Sequence, residues 1–100
     1  MMNFYSIKDK HVNMYSPPFL SASDEDARKV ISDSVEVGSV LAKFPEDYIL
    51  VRLAEFDPVK GFVSVETGFV CSMRDIVRSE IIDRTRILAN LVDSKEVTNE

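Results

Sequence analysis

The stretch FPEDYILVRLAEFDPVKGF, residues 44–62, decides the fold. Its run from Tyr48 to Phe56 is apolar apart from Arg52 and Glu55. Asp57-Pro58 then sets a turn, because proline fixes φ for the first turn position and aspartate bonds its own backbone. Gly61 supplies the left-handed residue that closes such a loop. The reading is strand, tight turn, strand. Two registers are compatible with it. A four-residue loop places Asp57 opposite Phe62, with Phe56 beside Val63 and Ala54 beside Val65. A five-residue loop places Phe56 opposite Phe62 and Arg52 opposite Glu66, a cross-strand ion pair. The position of Gly61 favours the first. A one-residue shift would exchange the faces of a strand.

Working outward, residues 3–8 alternate Phe4 and Ser6 against Tyr5 and Ile7, the pattern of a first strand. Asp9-Lys10-His11 is a turn signal, and Val12 to Tyr15 can pair back. Pro17-Pro18 ends the ladder, since neither proline donates a backbone hydrogen bond. Ser23 is an N-cap ahead of Asp24, Glu25 and Asp26, which predicts a helix from Glu25 to about Val35, ended by Gly38. Residues 39–43 suit a further helical turn. Thr67-Gly68 interrupts the strand after the turn, and Ser72 can cap a last helix. Residues 73–92 lack Gly and Pro and carry helical spacing. Val77, Ile81, Leu88 and Leu91 form a seam within them, with Arg84 interrupting it and Ile76, Ile82 and Ile87 widening it. The expected architecture is α+β: a small antiparallel sheet of an N-terminal strand or hairpin plus the central hairpin, packed against one helix, with a long C-terminal helix. Residues 1–92 form one domain and residues 93–100 a polar, fraying tail.

One hundred residues at 45% apolar composition are enough for one globular core without covalent staples. The single cysteine, Cys71, excludes an internal disulfide and suits a reducing cytoplasm. No apolar run approaches the roughly 18 residues of a membrane span, and Lys8, Asp9 and Lys10 interrupt the N-terminus before a signal peptide could form. The expectation is a soluble intracellular protein with no membrane partner. The net charge of −5 weighs against strong DNA binding, because phosphate contacts need clustered cations. The richest basic group, Arg74, Arg78, Arg84 and Arg86, is interleaved with Asp75, Glu80 and Asp83.

Several elements resemble one family. Pro45-Glu46-Asp47-Tyr48 ahead of Leu50, and Glu55-Phe56-Asp57 ahead of Gly61, look like the small non-structural protein of gokushovirus-type microviruses, phages with single-stranded DNA genomes. Phe4-Tyr5-Ser6-Ile7-Lys8-Asp9 opens the chain as that family opens. Tyr15-Ser16-Pro17-Pro18-Phe19 and Asp26-Ala27-Arg28 resemble two further elements of it. The resemblance covers roughly residues 3–66 and thins beyond about residue 70. It implies a non-enzymatic phage accessory protein acting in DNA replication or packaging in the host cytoplasm. Its partners would be single-stranded DNA, the phage replication proteins or the capsid proteins.

The residues carry no catalytic or metal motif. His11 is the only histidine, so neither a zinc site nor a cysteine nucleophile at Cys71 assembles. Asp24, Glu25 and Asp26 lack the spacing of a calcium loop and read as capping acids. No glycine-rich phosphate loop exists. No cofactor and no metal are expected. The aromatics offer more, since single strands are gripped by stacking platforms with nearby cations. Tyr5, Tyr15 and Tyr48 are the candidate rings, because tyrosine can present its face while its hydroxyl stays wet. Lys8, Lys10, Arg52 and Arg78 are the candidate cations. The opposing reading is that the rings fill the core of a small domain without tryptophan. The seam Val77, Ile81, Leu88 and Leu91 likewise has two readings: it covers the sheet, or it makes a homo-oligomer. A protein–protein adaptor without nucleic-acid binding is the rival function.

Overall fold

Alternation and turn chemistry dictate most of the strand order. The computed structural model describes residues 2–98, leaving aside the side chains of residues 62, 64–66 and 92–98. The elements run β1 (Met2–Asp9), β2 (Met14–Tyr15), β3 (Phe19–Ser21), α1 (Asp24–Ser34), α2 (Val40–Lys43), β4 (Tyr48–Asp57), β5 (Gly61–Ser72), α3 (Met73–Ile76) and α4 (Ser79–Thr98). These strands join one antiparallel sheet ordered β2-β1-β4-β5, with β3 on the same edge of β1 as β2. The fold is α+β, as the sequence predicts.

The central hairpin takes the five-residue-loop register at its tip: Phe56 faces Phe62 and Asp57 faces Gly61. The favoured four-residue alternative is thereby corrected. The Asp57 carboxylate accepts the Val59 and Lys60 amides at 2.8 and 3.4 Å, so three residues complete the turn. Gly61 takes its left-handed φ of 88° in the closing pair instead of inside the loop. The Arg52–Glu66 pairing is also overturned. Register shifts between the two strands bring Gly68 opposite Arg52, so β5 runs through Thr67-Gly68 without breaking.

Ser23 caps α1 as expected, its hydroxyl accepting the Asp26 amide at 3.1 Å. The helix ends at a C-cap on Val35, before Gly38. Gly38, with φ of 85°, serves another purpose: its amide donates to Thr85 Oγ1 at 2.9 Å, which docks the α1–α2 connection on α4. A Cβ here would lie 3.2 Å from Leu88 Cδ2.

The core lies on one side of the sheet. Tyr5, Leu50 and Cys71 from three strands pack with Ala27, Ile31, Ala42 and the residues Met73, Ile76, Val77 and Ile82 of the α3–α4 region. The expected helix over residues 73–92 is divided. Val77 leaves helical geometry, with φ −68° and ψ 125°, as the C-cap of α3. The physical reason is that Ile76 and Val77 are both buried, and successive residues on one straight helix point about 100° apart. Val77 is therefore core and not part of an exposed seam, and Ile81 is half-buried against the same core. Of the fraying tail expected over residues 93–100, residues 93–98 continue α4 and residues 99 and 100 lie outside the described residues.

Candidate nucleic-acid interface

Residues directly opposite one another in a ladder share a face, and successive residues alternate. The pairings therefore assign each strand residue to a side. Tyr5 pairs with Arg52, Ile7 with Leu50 and Asp9 with Tyr48, and these face the helices. Phe4 pairs with Ala54, Ser6 with Val51 and Lys8 with Ile49, and these face away. The second set extends outward: Met2 pairs with Phe56, Leu20 with Phe4, Tyr15 with Lys8, and Phe69 with Val51. Val51 and Ala54 are buried there among strand neighbours, outside the helix-covered cluster.

This open face is aromatic. Phe69 is 67% and Tyr15 48% exposed. Phe4 and Phe56 meet edge to face with centroids 6.0 Å apart. The Lys8 ammonium stands 5.4 Å from the centroid of the Tyr15 ring, within cation–π range. Among the described residues, no carboxylate occupies a paired position on this side: Asp9, Glu55 and Asp57 all alternate to the helix side. The chain is net acidic, yet its described pairings place Lys8 and no acid on this surface.

The candidate residues separate accordingly. Lys8 and Tyr15 come together on the open face. Tyr5 does not join them, because it is fully buried on the other side. Its hydroxyl donates to Asp24 Oδ1 at 2.6 Å and accepts from Asn3 Nδ2 at 3.2 Å. Burial, and then the Asp24 carboxylate, raise its pKa. Tyr5 is a structural ring and not a stacking platform, a correction to its candidacy. Tyr48 also lies on the helix side, half-buried; burial and the charges of Asp9 and Asp47 raise its phenol pKa. Lys10 is exposed in the β1–β2 turn, its amide donating to the Asp47 carbonyl at 3.0 Å. Arg52, opposite Tyr5 and Gly68, keeps a buried Nε without a hydrogen-bond partner. Arg78 is exposed between α3 and α4, 3.6 Å from Glu80. Lys8 and Arg52 thus fall on opposite sides of the sheet, and Arg78 lies outside it between α3 and α4.

The sequence reading missed Phe69, Phe4 and Phe56 as face residues. The alternation of Phe4, Ser6 and Lys8 was a usable signal for one strand. The register shifts that bring Phe69 to the same side were not.

Other chemistry is sparse. His11 Nε2 lies 3.1 Å from Asp47 Oδ1 at the surface, and burial pushes the Cys71 thiol pKa up. No group of three or more metal-ligating side chains is gathered among the described residues. No helix among them is long and apolar enough to cross a membrane.

The model of a protein family described as Phage ORF5 protein matches residues 2–76. The matched span takes in the whole sheet, α1, α2 and α3, and stops before α4. No curated protein and no solved structure matches the chain.

Proposed function

The chain belongs to the Phage ORF5 protein family, and from that premise we propose that this phage accessory protein binds single-stranded DNA on the open face of its sheet. The virus would be a gokushovirus-type microvirus, as the sequence elements suggest, and the step genome replication or packaging in the host cytoplasm. No catalysis is assigned to the protein. The observation that carries the reading is the sorting of the face: Tyr15, Phe69 and the Phe4–Phe56 pair share one surface with Lys8, and the paired carboxylates alternate away from it. A sheet with exposed rings suits unstacked bases, which every aromatic side chain can accept. A duplex offers no such bases, and the few cations here cannot hold it by phosphate contacts alone.

The test is fluorescence anisotropy with labelled single- and double-stranded oligonucleotides at two salt concentrations. Single strands bind in preference to duplex, with a shallow salt dependence, and Phe69→Ala and Tyr15→Ala weaken binding. Absence of binding at low salt, or equal binding of duplex, would overturn the proposal.

A second reading, an oligomeric adaptor, draws on a separate observation. Ile87, Leu88 and Leu91 are exposed on α4. They replace Val77 and Ile81 as the self-association surface, since those two pack inward. Light scattering of wild type and of Leu88→Glu with Leu91→Glu decides it: a multimer that becomes a monomer supports the adaptor, and a wild-type monomer at every concentration removes it.

A further inference from the structure

The helix side of the sheet holds a surface with the opposite electrostatic character. Where β2 and β3 leave α1 and α2, two adjoining hollows open. The first, of ≈ 380 Å³, lies between Pro17 and Phe19 on the strand side and Val30, Ile31 and Val35 on the α1 side. The second, of ≈ 470 Å³, is walled by Val12, Met14, Tyr15, Tyr48 and Val40. Ile7, Ser16 and Leu41 border both, so the hollows form one two-part groove. Val12, Met14, Val30 and Val40 are each at least half exposed along it. Exposed apolar side chains that adjoin along one concave surface suit a docking site better than singly scattered ones do.

The charges select the occupant. Glu36 borders the first hollow and Asp9 the second, and among the described residues no lysine or arginine borders either. Asp47 lies near Tyr48 of the second hollow, 3.1 Å from His11; burial first, and then the charges of Asp9 and Asp47, raise the Tyr48 phenol pKa. A nucleic-acid backbone or an anionic lipid would meet the carboxylates of Glu36 and Asp9. An apolar segment bearing cations would fill the hollows and neutralise Glu36 and Asp9, since complementary potentials steer and select partners. We infer that this groove docks an apolar segment of a partner protein flanked by lysine or arginine. Tyr15 borders both this groove and the open face, whereas Phe69 is absent from the groove's lining; the protein would carry a nucleic-acid surface on one side and a basic protein segment on the other.

The probe is a capped peptide of alternating leucine and alanine with two lysines at each end, compared with its counterpart carrying glutamates in their place. Fluorescence polarisation of full-length protein is expected to give at least tenfold tighter binding of the lysine peptide. Val30→Gln with Val40→Gln leaves net charge unchanged and is expected to weaken that binding about tenfold. Met14→Gln, at a position 66% exposed, lowers it in the same direction without touching the core. Glu36→Gln narrows the gap between the two peptides. Phe69→Ala, which weakens DNA binding, leaves peptide binding unchanged, so the two surfaces fail separately. Equal binding of both peptides, or lysine-peptide binding indifferent to all three glutamine substitutions at apolar positions, overturns the proposal. A dimer abolished by Val30→Gln with Val40→Gln, with no peptide bound, overturns it in favour of a second copy of this chain.

Discussion

The two faces of the sheet are built from the same strands and both carry apolar side chains, yet they are finished differently. On the helix side, Tyr5, Leu50 and Cys71 are sealed under helices, and the Tyr5 hydroxyl is tied down by Asp24 and Asn3. On the other side, Phe69 and Tyr15 are left in solvent with Lys8 beside Tyr15, and the paired acids alternate away. Apolar side chains mark both a core and an interface; what separates the two is whether a second layer covers them.

The sharpest way to test this difference is to truncate one residue on each side. Leu50→Ala removes a fully buried side chain beneath the helices and is expected to cost about 2–5 kcal/mol. Phe69→Ala should change stability by no more than about 0.5 kcal/mol. Urea denaturation of both variants reads the contrast directly. Comparable losses would mean that the open face is packed in solution and is not a free surface.

Binding should show the reverse order. Tyr15→Ala and Phe69→Ala are each expected to cost about 1–3 kcal/mol of single-strand affinity. Leu53→Ala, at the strand irregularity and half-buried, gives a comparison for general loosening of the sheet. If it weakens DNA binding as much as the ring truncations do, stacking is not the source of affinity.

Tyr5→Phe tests the polar finish of the covered side. Losing its hydroxyl removes a bond to a carboxylate, expected to cost about 1.5–3 kcal/mol at most and less here because Asp24 is partly open to water. The same group sets an alkaline limit. Its folded pKa is raised above the ordinary value of about 10. The neutral phenol is thus the form the fold favours. Its contribution is complete below the unfolded pKa and is lost as pH rises from there through the folded pKa. Thermal melts between about pH 9 and 12 should fall less steeply for Tyr5→Phe than for wild type; parallel curves would rule Tyr5 out as the cause.

The smallest effect concerns Lys8. If it makes one phosphate contact, Lys8→Gln should reduce the salt slope of single-strand binding by about 0.7. An unchanged slope with weakened binding would assign Lys8 to its cation–π contact with Tyr15 alone.

The local signals in the chain were sufficient wherever one residue type settles one backbone geometry. Asp57-Pro58 and Gly61 specify a turn, Ser23 specifies a helix start, and the alternation of residues 3–8 specifies a strand, because each depends on bonds and dihedral angles within a few residues. These were enough to read an α+β domain with an N-terminal strand and a central hairpin. Tertiary structure alone decided which aromatic ring is core and which is surface. The register shifts between Phe4 and Tyr5, between Leu50 and Val51, and between Arg52 and Ala54 each depend on pairing with a distant strand. Each also changes which residues share a face. Likewise, Val77 belongs to the core because α3 and α4 turn to bury Ile76, Val77 and Ile82 together, a choice made by the packing surface beneath them and not by helical spacing. Tyr5, Tyr15 and Tyr48 look alike in sequence, and the sheet separates them because facing is a property of the ladder and covering is a property of the layer above it.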